Sequence, residues 1–302
     1  MTLRAGVILP MFSGDPGKVL AAARASEELG FDGAFAFDHF FPPGGAPDRP
    51  SLEAFTTLAA VAQATERLLL GTLVTRASLR PPGLLAKMAS TIDMISNGRM
   101  VLGIGTGDPI DEPEHHAFGF RNLSVTERRA NLAETVTAIK ALFRGEPYEG
   151  GELVSPMPGP LVPGPARAEG PPIWLGGQAD EVVRMAGRLA DGWNGWGLEP
   201  GKFRRKADLL REAASEAGRA TTATWAGIVL VGDDDDDADR LHQARLAKNM
   251  DALAWWGGAE RFVEYLHGLA EAGAEWVIFV LAGPPDRRQL VAERVLPALG
   301  EG

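Results

Sequence analysis

The chain has 302 residues, 30 of them Lys or Arg and 40 Asp or Glu, for a formal net charge of −10. The basic residues are scattered and form no stripe, which argues against nucleic acid as a partner, and no apolar stretch approaches the roughly 20 residues that a membrane helix needs. Cysteine is absent, so disulfides and thiol catalysis are excluded; the length exceeds one ordinary domain but suits a single α/β barrel.

MTLRAGVILP carries the first expected strand, Ala5–Leu9. Its apolar run is too short for a signal peptide and has no small-residue cleavage site, so the cytoplasm is the expected compartment. Val19, Ala22, Ala23, Ser26 and Leu29 line one face of a helix that Pro16 opens and Gly30 stops. Short, branched-rich runs follow at Ala34–Phe37, Leu68–Val74 and Met100–Ile104, with a helical stripe at Leu84, Leu85, Met88, Ile92 and Ile95 ended by Asn97-Gly98. Ser124 and Glu127 have capping-box spacing, ahead of a stripe through Leu132, Val136, Ile139 and Phe143. Further strands are expected at Ile173–Leu175, Ile228–Val231 and Trp276–Leu281, and a weaker one at Trp193–Trp196 in DGWNGWG. A helix through Val182, Met185, Ala186 and Leu189 ends by Gly192. The acidic run Asp233–Asp237 lacks the Gly and Glu of a calcium loop and reads as a solvated entry to a helix.

Continuous apolar runs of this length suit strands buried on both faces. Strand and helix alternate about eight times, which predicts an α/β protein with a parallel sheet closed into a (β/α)8 barrel. The whole span 1–302 reads as one domain. Two segments break the rhythm: 108–123, with two prolines and an acidic, His-containing stretch, and 150–172, with seven prolines and five glycines. Long irregular segments inside a compact domain are usually functional.

VLGIGTGDP, Val101–Pro109, superficially has the look of a dinucleotide fingerprint, but that motif requires its glycines to open a helix on the first strand. Here Asp108-Pro109 and Pro113 follow on the fourth strand, and no ordinary helix is expected to begin. The remaining readings are a tight strand-to-loop turn, or bare backbone brought close to a flat or anionic ligand at a barrel mouth.

FAFDHF, GTLVT, GRMVLGIGTG, AFGF and PIWLGGQADEVVRMAGRLADGW, in that order over roughly the first two thirds of the chain, resemble the luciferase-like monooxygenase superfamily. The closer likeness is to its coenzyme F420-dependent oxidoreductase branch. The resemblance implies a TIM barrel with insertion segments, a cofactor at the C-terminal ends of the strands, and a homodimer. Asp38 and His39 match a pair that lies near the reactive face of the deazaflavin, and His39 is the acid/base candidate. Leu73-Val74 falls where these proteins have a non-prolyl cis peptide against the cofactor ring. Gly105, Thr106 and Gly107 match a segment touching the cofactor, and Gly176, Gly177 and Gln178 a loop receiving its phosphate, where a helix start suits an anion.

Two departures weaken the case for a sugar phosphate as substrate: FFPPGG follows the Asp-His pair without a tryptophan, and Asp108 stands where the sugar-phosphate dehydrogenases have Glu. The resemblance implies hydride transfer between coenzyme F420 and a small-molecule organic substrate, with proton exchange at His39 aided by Asp108. The residues also leave open an FMNH2-dependent monooxygenase and a non-catalytic cofactor binder. Arg76 and Arg80 are expected counter-charges for an anionic cofactor tail. Trp193 and Trp196 are expected to pack at the mouth. His115 and His116 lie in the first insertion, within possible reach of the mouth, and read as part of a solvated loop ahead of substrate contact; a metal there is not expected.

Overall fold

In the computed structural model, which describes residues 3–45, 47–250 and 252–300, eight parallel strands close on themselves. The ends of the span read as one domain, like positions 46 and 251, lie outside the described residues. The barrel strands are β1 (Arg4–Ile8), β2 (Gly33–Ala36), β3 (Leu69–Thr72), β5 (Met100–Gly105), β6 (Ile173–Gly176), β7 (Gly192–Trp196), β8 (Thr222–Gly232) and β10 (Trp276–Leu281). Closure is made by β10, which pairs with β1 through Ala5↔Val277 and with β8 through Ile278↔Ala226. The short strands β4 (Thr75–Arg76) and β9 (Trp255–Gly258) add to β5 and β8 at their C-terminal ends.

The outer layer is made by α1 (Pro16–Glu28), α2 (Ala54–Ala64), α3 (Pro82–Ile95), α5 (Val125–Phe143), α6 (Asp180–Leu189), α7 (Pro200–Glu216), α8 (Asp235–Leu246), α9 (Ala259–Glu271), α10 (Arg287–Arg294) and α11 (Leu296–Leu299). Their apolar stripes bury the outward residues of the strands, such as Leu70, Leu102 and Val277. Local chemistry sets the helix starts. Ser124 and Glu127 make both bonds of the expected capping box. The acidic run serves as the entry to α8, with the Asp234 carboxylate accepting from the Asp237 N–H at 2.8 Å.

DGWNGWG is a full barrel strand, paired on both sides. Strand β8 begins six residues before the expected Ile228, because Thr222, Thr224 and Gly227 break the apolar run although the segment pairs with β7 from Thr222 and with β10 from Thr224. The expected continuous strand Leu68–Val74 is divided: the Leu73-Val74 peptide is cis and the chain resumes as β4. One expectation is corrected. The segment after Gly107 is a 3-10 turn over Pro109–Asp111 followed by the six-residue α4 (Glu112–Ala117). Pro109 and Pro113 sit in first turns, where a missing N–H costs nothing.

Inside the barrel, size alternates by layer. Phe35, Trp174 and Trp276 fill the lower interior with ring centroids 5.7 to 6.1 Å apart. They fit because Gly6 and Gly33 face them: a Cβ on either would lie 2.9 Å from the Phe35 ring. Toward the C-terminal ends of β5 and β6 the inward positions include Gly103, Gly105 and Gly176, and the interior opens. Among the described residues no helix is long and apolar enough to cross a membrane.

A Cβ on Gly103 would lie 2.1 Å from the Thr72 carbonyl oxygen, which is backbone and cannot rotate away. Gly103→Ala is expected to destabilise the fold by about 1–3 kcal/mol or more, as a lower urea midpoint at unchanged m-value. An unchanged midpoint would show that the upper layer tolerates a side chain.

Candidate active site

At the C-terminal ends of the strands lies a cavity of about 740 Å³, within the ordinary range for a small-molecule site. Its lining includes His39, Leu73, Val74, Gly105, Thr106, Gly107, Asp108, Gly176, Gly177 and Gln178. Of the candidate catalytic and cofactor-contacting residues matched by resemblance, Asp38 is the one absent from that lining.

The alternation of β2 explains both neighbours. Phe35 points inward, and two and four residues on, Phe37 and His39 face the cavity. Asp38 therefore points the other way and is buried. Its carboxylate accepts from the Thr75 hydroxyl at 2.6 Å and from both Arg80 Nη atoms, at 2.5 and 3.1 Å. Arg80 also donates to Glu53 at 2.6 Å and lies over the Phe55 ring. Asp38 is thus a brace behind the wall, with its oxygens already engaged.

His39 is held from the insertion. Its Nδ1 lies 2.6 Å from Glu114 Oε1 and 3.7 Å from Asp111 Oδ1. The other Glu114 oxygen accepts from the Phe40 N–H at 3.0 Å and from Arg76 Nη2 at 2.6 Å, and Arg76 Nη1 is 3.5 Å from Asp111. Burial opposes ionisation of Glu114, but the hydrogen bonds from His39 and Phe40 and the Arg76 charge outweigh it, holding the carboxyl below its usual range. With Nδ1 engaged, Nε2 is the nitrogen left to face the cavity. His39, Asp111 and Glu114 could each bring a ligand atom within 4.8 Å of the others, and Arg76 already pairs with both carboxylates.

Arg76 and Arg80 are therefore committed to internal carboxylates, which corrects the expectation that they are free counter-charges. Asp108 is at the exposed rim, where it caps the turn Pro109–Asp111 and its N–H donates to Asp111 at 2.7 Å. The carboxylate bonded to His39 is Glu114. Sequence reading missed it because the prolines masked α4; the spacing of Asp111 and Glu114, three residues apart, is the signal that places both on one helical side.

The glycines serve a second purpose besides exposing backbone. A Cβ on Gly105 or Gly176 would come within 2.9 Å of Val74, and one on Gly107, at φ +79°, would press on Arg76 and Asp111. Removing side chains here lets Val74 wedge into the wall and Arg76 pass beneath Gly107.

Across the cavity from this cluster, Gly177, Gln178 and Ala179 lead into α6, whose first turn has no side-chain cap. Arg128 and Arg129 of α5 also line the cavity, Arg129 within 3.8 Å of Glu181 in that first turn, and Arg128 Nε is buried without a partner. Uncapped N–H groups beside two guanidinium groups suit an anion. Gln178 itself is tied by its side chain to the Trp196 carbonyl at 2.7 Å.

The two tryptophans separate. Trp196 lines the cavity, whereas Trp193 packs outward on Phe203 and donates to the Gly177 carbonyl at 2.7 Å. Neither histidine of the insertion lines the cavity: His116 is exposed, and His115 is buried in an adjoining 250 Å³ cleft, its Nδ1 3.0 Å from Asn122 Oδ1.

The family model for luciferase-like monooxygenases matches residues 4–292. An F420-dependent glucose-6-phosphate dehydrogenase of Nakamurella multipartita is 29% identical over 94% of this chain and 93% of its own. A phthiodiolone/phenolphthiodiolone dimycocerosates ketoreductase of Mycobacterium tuberculosis is 31% identical over 70% of this chain and 56% of its own. Among solved structures, an F420-dependent secondary alcohol dehydrogenase in complex with an F420–acetone adduct superposes with a TM-score of 0.84, at 20% identity over 99% of both chains, which speaks to the fold.

A carboxyl whose pKa is lowered by folding adds stability that is complete above its unfolded range, near 4.5, and is lost as pH falls through the lower folded value. Glu114→Gln is therefore expected to reduce stability by a constant amount at neutral pH, the deficit shrinking only below about pH 4.5. Urea unfolding of both proteins from neutral to acid pH measures this; a deficit that grows on acidification would contradict the assignment.

Proposed function

We propose that this chain, which belongs to the luciferase-like monooxygenase family, is a coenzyme F420-dependent oxidoreductase acting on an organic substrate. The observation that carries this reading is His39: its Nδ1 is bound by a buried carboxylate and its ring lines a cavity whose wall includes the glycine backbone of Gly105, Gly107, Gly176 and Gly177. The donor set fits the group. Backbone edges at Gly105–Gly107 and Gly176–Gln178 suit a planar ring system, and the α6 start with Arg128 and Arg129 suits a phosphate at its far end. When bound, coenzyme F420 supplies or accepts the hydride.

The protein's own part is positioning and proton exchange. A Glu114 carboxylate accepting at Nδ1 favours the tautomer with the proton there, so that Nε2 carries a lone pair toward the cavity. A substrate hydroxyl within reach of Nε2 gives its proton to the imidazole during oxidation; the reverse direction returns it. Arg76 keeps Glu114 ionised and in place throughout. Thr106 adds a hydroxyl at the cavity wall, although in this structure it donates to the Gly107 carbonyl at 3.1 Å.

The relatives named above for F420 support this cofactor over FMN. The FMN alternative has support from solved structures of the same fold, including a Baeyer–Villiger monooxygenase component in complex with FMN at a TM-score of 0.76 and 19% identity. Parallel fluorescence titrations with F420 and FMN decide between them. F420 is expected to bind more tightly, and preference for FMN by about tenfold (1.4 kcal/mol) overturns the reading. His39→Ala is expected to lower turnover by about 10²–10⁴ while F420 affinity changes far less. Tight binding with no turnover in the unaltered protein would mark a cofactor binder instead.

A further inference from the structure

The charges of the cavity are segregated, and that segregation bears on what is bound beside His39. Phe12 and Phe37 stack with centroids 5.9 Å apart, and Trp196 meets Phe37 edge-on at 5.8 Å. The Phe12 and Phe37 rings both lie 6.3 Å from the His39 ring. All three are half-buried and line the cavity, so the space next to Nε2 has an aromatic wall. Pro43 and Ile110 continue it at the rim, where Ile110 is 50% exposed.

The ionic groups at this end are one cation against two carboxylates. Arg76 is 4% exposed by side chain and faces Glu114 at 2.6 Å and Asp111 at 3.5 Å, while the same two carboxylates flank His39. Among the described residues lining the cavity, the other cations are Arg128 and Arg129. Arg129 reaches Glu181 of the first turn of α6 at 3.8 Å, and Arg128 also lines the adjoining cleft with Asp108 and His115. A phosphate beside His39 would therefore meet two carboxylates, Glu114 and Asp111, against the single charge of Arg76 that pairs with them. Sugar hydroxyls turned toward Phe12, Phe37 and Trp196 would lose water without gaining partners, which is costly.

We infer that the substrate bound beside His39 is an uncharged, predominantly apolar alcohol or carbonyl compound, seated on Phe12, Phe37 and Trp196, and not a sugar phosphate. This rests on the F420 reading of the same cavity, and it departs from the glucose 6-phosphate for which the Nakamurella multipartita relative is named. The two anion-compatible features, Arg128 with Arg129 and the α6 start, belong to the cofactor's phosphate. The aromatic wall is left for the substrate's hydrocarbon part, with its single oxygen directed at Nε2.

Calorimetric titration of the F420-loaded protein with cyclohexanol and with glucose 6-phosphate, at equal ionic strength, tests this without relying on turnover. Cyclohexanol is expected to bind at least about tenfold more tightly than glucose 6-phosphate. Trp196→Ala and Phe12→Leu are each expected to weaken cyclohexanol binding, the former by about tenfold, while Trp196→Phe, which keeps a ring, loses less. Circular dichroism establishes that each variant is folded, and the two positions are independent of one another. Tighter binding of glucose 6-phosphate, or cyclohexanol affinity unchanged in both folded variants, overturns the inference. Fluorescence titration with F420 on the same samples separates the two levels. Cyclohexanol failing to bind while F420 binds defeats this inference alone, and F420 failing to bind defeats the proposed function on which it rests.

Discussion

One buried guanidinium organises the site. Arg76 leaves the barrel on β4 and meets Glu114 and Asp111 of the insertion, and Glu114 in turn holds His39 at the end of β2. A buried ion pair contributes little net stability, because desolvating both partners offsets their attraction. Its value is directional. With Arg76 and the Phe40 N–H fixing one Glu114 oxygen, the other is aimed at His39, whose Nδ1 lies 2.6 Å away and serves as its donor. The Asp38–Arg80–Glu53 cluster braces the same β2 end from the opposite side.

The space that His39 faces follows from a second constraint, the alternation of large and small inward residues by layer. Aromatic rings meet glycines in the lower barrel and fill it. In the upper layer Gly103, Gly105 and Gly176 face Val74 and, at Gly103, the Thr72 carbonyl, so the barrel ends in a shelf with main chain at its surface. Around that shelf the chain puts rings at one end and an uncapped helix start with two arginines at the other. A ligand with a flat middle, an anionic end and an apolar partner is what such a layout accommodates, although the chain as a whole is acidic.

The architecture was legible because parallel strands buried on both faces leave continuous apolar runs, and because caps such as Ser124 and Glu127 act locally. What escaped was either diluted or long-range. The first half of β8 is interrupted by Thr222, Thr224 and Gly227, and its strand character comes from pairing with β10. Short α4 was hidden by prolines that occupy first-turn positions. The glycine-rich edge and His39 were placed at the cavity by resemblance, and the structure brings them together there. Asp38, matched by the same resemblance, is turned away from the cavity by the period of two along Phe35, Phe37 and His39, and its carboxylate bonds Thr75 and Arg80. Arg76 with Glu114 and Arg80 with Asp38 are separated by 38 and 42 positions, and no local pattern announces such pairs.

The account turns on His39 being anchored through Nδ1, with Nε2 left for the cavity. Nitrogen-15 NMR of the histidine-labelled protein at neutral pH reads this directly, since proton–nitrogen correlations distinguish the two ring nitrogens. The account predicts a His39 signal with the proton on Nδ1 and a lone pair on Nε2, lost from that state when Glu114 is replaced by Gln. A neutral ring protonated at Nε2, or one averaging freely between tautomers in the unaltered protein, would contradict it.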